Sequence, residues 1–441
     1  MISHSTRQED PTLLSQHQLS LPNQLISLSA PLRPFIGRTR RLTHRFGLLV
    51  TVLAAFTAFG PSAYSVPLEP SPPNGTYVAL GDSYASGVGA PPYASGTDVQ
   101  GGNGCKRAAG AYAHQVASQT GKTLDFGACS GARIPDFYNP RTSWNEPAQL
   151  NHLNSSTSLV TFSIGGNDAG FSTILTKCIT AAPFTTCSGN KEVSEQVDGA
   201  ISALAGKTTR ADITSYDTLV ADIAARAPGA TVVAVGYPRM FTPQGAGQIL
   251  PVPGRCEGVT KVDQRWINAK TNEINAAAKA AAQRHGYRFA DPSGPFAGHE
   301  LCGKQSSWFD GLINDGRFHP NAAGHKAIAG SIMGVLKEQP AAAQELPAAA
   351  QAQVDNTRPA GSFTLARNGD QLALDASAST DSDGTITNID WYIQRADGSE
   401  EILTGTQATA TVPADEQVSV TAVITDNQGK EDFTTQIAPA A

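Results

Sequence analysis

The sequence predicts an open α/β domain followed by a small β-sandwich, and three observations carry that expectation. Between Asn74 and Lys337 short apolar runs alternate with stretches of helical periodicity, the pattern of a parallel sheet joined by right-handed crossovers. From Glu338 to Val354 the composition shifts to Ala, Gln and Pro. Beyond Asp355 about seven short strand-like runs follow one another, several separated by turn dipeptides, as in a β-sandwich.

A chain of 441 residues has room for two domains and a sizeable core. Residues 1–65 read as a leader. Arg38, Arg40, Arg41 and Arg45 precede an uncharged, mainly apolar run from Phe46 to Phe59, and Ala63-Tyr64-Ser65 forms a small-x-small cleavage site. The apolar run is short for a membrane span, so no transmembrane anchor is expected. The leader is long, which fits either an early start codon or an extended n-region. It holds six Arg against Glu9 and Asp10; removing that net +4 from a chain of charge −6 leaves −10. An acidic remainder without a basic stripe argues against nucleic-acid binding.

All six cysteines, at 105, 129, 178, 187, 256 and 302, follow the leader. An even number in an exported chain indicates disulfides, while the spacing alone leaves fifteen pairings open. Without C-x-x-C spacing or a His cluster, zinc is the weaker reading.

Residues 66–73 form a Pro-rich tether. The following domain, 74–337, has strand runs at Thr76–Leu80, Thr123–Ala128, Leu159–Ile164, Thr231–Val235 and Tyr287–Ala290. Helical patterns span Ala108–Gln119, Val193–Leu204, Tyr216–Ala227, Asp263–Arg284 and Ala322–Leu336. Residues 338–355 read as a semi-rigid linker, with a frayed helix as the competing reading. Residues 356–441 form the sandwich, with turns at Asn368-Gly369, Asp383-Gly384, Asp397-Gly398 and Asn427-Gln428-Gly429. Asp381 and Asp383 lack the other ligands of an EF-hand loop and read as turn stabilisers.

Four stretches carry candidate chemistry. Gly81-Asp82-Ser83 ends the first strand, where open α/β sheets bind ligands. A serine hydroxyl is a poor nucleophile until a base takes its proton. His319, in Phe318-His319-Pro320-Asn321 before the last helix, is a candidate base. Gly131, after strand two, lets a backbone N–H approach a carbonyl closely, and Asn167, after strand three, offers a neutral side-chain donor for an oxyanion. Taken singly, each has a structural explanation as a turn or cap residue. Their joint order on one alternating pattern is the stronger signal. No Gly-x-Ser-x-Gly, Walker loop or His-Glu-x-x-His occurs. Structural roles are expected for His114, His152, His299 and His325, with His299 packed by Cys302 and His325 exposed on the last helix. Trp308-Phe309 reads as core.

Together Ser83, Gly131, Asn167 and His319 resemble the SGNH (GDSL) hydrolase superfamily, over roughly Thr76 to Leu336. The resemblance implies a three-layer α/β/α fold with a five-stranded parallel sheet. Gly-Asp-Ser-Tyr-Ala-Ser-Gly from 81, Ala128-Cys129-Ser130-Gly131-Ala132 and Phe296 to Cys302 are similar to the secreted actinomycete lipases and esterases of that group. This narrower likeness implies sequential pairs Cys105–Cys129, Cys178–Cys187 and Cys256–Cys302. Two of them would pin loops near Gly131 and after Asn167. The superfamily's acid three residues before the histidine is here Gly316, with Asp315 one further back. The arrangement taken is a Ser83–His319 dyad with the Gly316 carbonyl on the imidazole, and Asp315 as the alternative orienting group. The segments Leu374–Ile386 and Val423–Gly429 resemble a PKD-type immunoglobulin-like module.

The implied activity is hydrolysis of carboxylic esters or lipids outside the cell, without metal or cofactor. Removal of acetyl groups from polysaccharide is the alternative, and a surface-binding protein with an inactive hydrolase domain the reading from another class. For the sandwich, binding to a polymer or cell surface and plain spacing stand side by side.

Overall fold

The structure, a computed structural model, describes residues 75–180, 186–247, 255–338 and 355–441. The leader, the tether and nearly all of the expected linker lie outside these residues.

Strand β1 (Thr76–Gly81) is buried along almost its whole length, as the near-continuous apolar run demands of a central parallel strand. With β2 (Thr123–Phe126), β3 (Thr157–Ser163), β4 (Thr231–Val235) and β5 (Arg288–Ala290) it forms one parallel sheet of order β2-β1-β3-β4-β5. Because β2 and β3 flank β1 on opposite sides, a crevice opens at the carboxyl end of β1.

The helices are α1 (Ser83–Ser86), α2 (Tyr112–Thr120), α3 (Pro135–Tyr138), α4 (Phe171–Ile179), α5 (Lys191–Leu204), α6 (Tyr216–Arg226), α7 (Lys261–Arg284) and α8 (Ala322–Lys337). Side chains of Asn190, Ser215, Thr260 and Asn321 cap α5, α6, α7 and α8, so four helix starts rest on local sequence. Packing of α2 on α8, and of α5 and α6 on α7, covers the sheet in a three-layer α/β/α arrangement. Tyr77, Phe137, Phe162, Tyr216 and Trp266 fill the core between layers.

Helix α4 is not among the helical spans given above and enters the sequence reading only as the helix that Asn167-Asp168 could cap, although Phe171, Ile174, Leu175, Cys178 and Ile179 repeat at helical spacing. His325 also departs from expectation. It is fully buried, because it shares the inward stripe of α8 with Ile328, Ala329 and Ile332. Its Nδ1 accepts from the Tyr112 N–H of α2 at 3.4 Å, and burial pushes its pKa down to about 3. His299 stacks face to face on Trp308, with ring centroids 3.8 Å apart, and its Nδ1 lies 2.8 Å from the Ser306 carbonyl. Phe309 is buried and Trp308 half-buried, both packed against Phe296.

The sulfurs pair as Cys105–Cys129, Cys178–Cys187 and Cys256–Cys302.

The second domain has seven antiparallel strands: β6 (Thr364–Asn368), β7 (Gln371–Asp375), β8 (Ile386–Gln394), β9 (Glu400–Thr404), β10 (Gln407–Thr411), β11 (Val418–Asp426) and β12 (Glu431–Ala438). Sheets β10-β7-β6 and β12-β11-β8-β9 enclose Leu372, Leu374, Trp391, Val420 and Ile424. The Trp391 indole N–H is satisfied by the Gly405 carbonyl at 2.8 Å. Asp383 accepts from the Thr357 N–H at 2.8 Å, consistent with a turn-stabilising role. Among the described residues no helix is long and apolar enough to cross a membrane.

Candidate active site

Gly81 ends β1 with φ +130°, and a Cβ there would lie 2.1 Å from the Ser163 carbonyl oxygen. Only glycine lets β1 and β3 close so tightly at the carboxyl edge. The Gln149 amide locks the turn by accepting from the Gly81 N–H and donating to its carbonyl, at 2.7 and 2.9 Å. The chain then enters the one-turn helix α1, which begins with Ser83 and is capped by the Asp82 carboxylate on the Tyr84 N–H.

His319 arrives from a distant loop. That loop is held by two backbone bonds to Asp310, one from the Phe318 N–H and one accepted by the His319 carbonyl. Asn321 fixes its far end by capping α8 and donating to the Ser307 carbonyl. His319 Nε2 stands 2.7 Å from Ser83 Oγ. Its Nδ1 lies 2.7 Å from the Arg317 carbonyl and 3.1 Å from the Gly316 carbonyl. Carbonyls only accept, so the proton of the neutral ring sits on Nδ1 and Nε2 faces the serine with a free lone pair. Burial pulls the His319 pKa below the ordinary imidazole value, and the two carbonyls, which favour a charged ring, counter this only in part. The orienting contacts are therefore backbone. Asp315 is exposed and has no hydrogen bond to the ring.

Gly131 has φ +70° and open space where a Cβ would stand. Arg141 holds its loop by donating to the Ser130 and Gly131 carbonyls, at 2.9 and 2.6 Å. The Cys105–Cys129 bond anchors the same loop from behind. Asn167 donates from Nδ2 to the Ala132 carbonyl at 3.0 Å, which aims the amide across the cleft and leaves its second N–H available. The Asp168 carboxylate ties the Gly131 and Asn167 loops together by accepting from the Ile134 N–H. Burial raises its pKa to about 6.

One residue of this site carries no local signal. Tyr237, after β4, donates to Asp82 Oδ2 at 2.5 Å and accepts from the Gly166 N–H at 3.0 Å. It thus couples the serine turn to the Asn167 loop. Desolvation raises the Asp82 pKa to about 7, with the Tyr237 and Tyr84 hydrogen bonds opposing. Tyr84 donates to the Phe318 carbonyl at 2.7 Å. A hydrophobic groove of about 240 Å³ leads away from Ser83 and His319. Its walls are Phe171, Leu175 and Ile179 of α4, Ile274 of α7, and Met240 and Leu312 from loops.

A layered α/β/α sheet with Ser83 and His319 paired at the end of its first strand, and Asn167 lining the same groove, places the chain among the SGNH hydrolases. More narrowly, residues 79–327 match the pattern of the GDSL-like Lipase/Acylhydrolase family, and the chain belongs to that family. Lipase 1 of Streptomyces coelicolor is 36% identical over 277 residues, which span 62% of this chain and 90% of that lipase. A lipase of Streptomyces rimosus is 36% identical over 290 residues, spanning 65% and 94% of the two chains. The crystal structure of phospholipase A1 from Streptomyces albidoflavus NA297 is 34% identical, with TM-score 0.49, over 59% of this chain and 99% of that one. The PKD1 domain of the Vibrio cholerae metalloprotease PrtV matches 19% of this chain and 95% of its own, at 26% identity and TM-score 0.17.

Proposed function

We propose that the protein is a secreted carboxylic-ester hydrolase that works through Ser83, His319 and a covalent acyl-enzyme. The observation that carries this reading is the 2.7 Å contact between Ser83 Oγ and an imidazole whose other nitrogen faces two carbonyls. His319 Nε2 takes the hydroxyl proton as Ser83 Oγ attacks the acyl carbon. The N–H groups of Ser83 and Gly131 and the Asn167 side chain receive the oxyanion. His319 then protonates the departing alcohol. Water, deprotonated by the same nitrogen, attacks the acyl-enzyme and releases the acid and free Ser83.

The groove supports an apolar acyl chain as the part of the substrate next to the scissile carbonyl. An acetyl ester would leave that surface unused, so lipid and medium- to long-chain esters are favoured over acetylated glycan. Export is supported by the Arg-rich leader with its cleavage site and by three disulfides.

The test is a series of p-nitrophenyl esters of increasing acyl length, with wild type and Ser83→Ala side by side. Turnover is expected to rise beyond acetate and to vanish in the variant while its far-UV spectrum is unchanged. Retained turnover in Ser83→Ala would sink the assignment.

A further inference from the structure

The sandwich meets the hydrolase domain through a built interface. The Arg265 guanidinium of α7 reaches Asp390 of β8 at 2.5 Å and Glu431 of β12 at 2.6 Å, lying 6.0 Å from the Tyr392 ring. All three charged side chains are largely buried, at 12, 16 and 14% exposure, so a surface ion pair's weakness does not apply. Val262 of α7 packs with Tyr392 and Val423 in a small buried cluster that Phe433 closes. Arg358, just ahead of β6, pairs with Asp198 of α5 and Glu273 of α7. The Glu400 carboxylate accepts from the Lys261 N–H at 3.0 Å.

The same helix forms a wall of the groove. Thr271 and Ile274 line it. Asn268 and Asn275 each bond the backbone of the loop after β4 in both directions, at Phe241 and Tyr237, and Met240 lies between them. The opposite wall, α4, ends in the Cys178–Cys187 bond. The N–H groups of Cys187 and Ser188 then land on Asp263 in the first turn of α7, at 3.2 and 2.9 Å. At the next residue, Gly189, a Cβ would stand 2.6 Å from Thr435 of β12. Both walls therefore end where the sandwich sits.

We propose that the sandwich is a docked brace that determines acyl-chain recognition, holding α7 and the Cys187–Gly189 segment at the Cys178–Cys187 bond so that the groove keeps its width. The outer face of the sheet β12-β11-β8-β9 is used for this purpose and is not left free for a polymer. The proposal rests on the acyl-groove reading above.

The test uses the full chain with Arg265→Glu, Glu431→Arg and the two together, none of which touches the site. Docking is read by small-angle scattering, and kinetics on decanoyl and acetyl esters. Each single variant is expected to increase the radius of gyration and to raise KM for the decanoyl ester about fivefold or more, with acetyl-ester kinetics within about twofold of wild type. The charge swap is expected to restore both readings in part, since it re-pairs positions 265 and 431 while the carboxylate now at 265 still faces Asp390. Glu431→Arg leaves the hydrolase sequence untouched, so it remains informative should Arg265→Glu misfold. An undocked variant with wild-type preference overturns the proposal, and so does a single variant that stays docked. The groove reading is tested separately by Ile179→Trp, which is expected to abolish the preference for decanoyl esters. If that preference persists, the groove assignment fails whatever the docking variants show.

Discussion

The hydroxyl of Tyr84, the residue after the nucleophile candidate, donates to the carbonyl of Phe318, the residue before the base candidate, at 2.7 Å. Phe318 has φ +60°, a left-handed conformation that a bulky side chain adopts only when surrounding contacts impose it. Those contacts are the Tyr84 hydroxyl and the Asp310 carbonyl. The serine turn thus holds the loop that carries its own base. Tyr84→Phe is expected to lower kcat about tenfold with KM within about twofold, because the imidazole loses its register rather than the substrate its groove. Equal losses in kcat and fold stability, with a rise in KM, would mark Tyr84 as ordinary core.

The depressed His319 pKa makes a signed prediction. A base that must be neutral stays neutral to lower pH when burial disfavours its charge. The acidic limb of kcat/KM is therefore expected to have its midpoint below 6.5. Asp315→Asn is expected to leave that limb in place and activity within about twofold, since backbone carbonyls face Nδ1. A tenfold loss in this variant would show that the carboxylate reaches the ring during turnover.

Asn167 is aimed by its bond to the Ala132 carbonyl, which leaves one N–H for the reacting oxygen. Asn167→Ala is expected to cost on the order of 10²–10³ in kcat, the usual effect of losing one oxyanion donor. A loss below about tenfold would make Asn167 a loop fastener.

Asp82 links site and stability. Its carboxyl titrates near 7 in the folded protein against 3.8 for the free group, so the folded state keeps a proton that the unfolded chain has released. Stability from this group is present below about pH 4 and is lost as pH rises to about 7, by something on the order of 4 kcal/mol. Urea unfolding of Asp82→Asn and wild type at both ends of that range checks it. The wild type should lose more stability than the variant on going up in pH, and parallel losses would place the titration elsewhere.

Much of the fold was legible locally. Buried parallel strands read as apolar runs, and Asn190, Ser215, Thr260 and Asn321 mark helix starts because capping needs only a side-chain oxygen and the next turn's N–H groups. Ser83, Gly131, Asn167 and His319 were recognisable because each follows a strand or precedes a helix at a sheet's carboxyl edge. His325 shows where local reading stops short. The stripe it shares with Ile328 and Ile332 was in the sequence, yet a polar residue on it is exposed or buried according to what packs there, and here that is α2.

By itself, then, the sequence determined the two-domain α/β and β-sandwich architecture and the order of the four motif residues around Ser83. Tertiary structure alone decided which groups serve them. Tyr84 meets Phe318 across 234 positions, Tyr237 meets Asp82 across 155, and Arg265 meets Glu431 across 166. Helical and strand periods reach only a few residues, whereas contacts at these separations exist only once the sheet, the helix layers and the docked sandwich have closed around them.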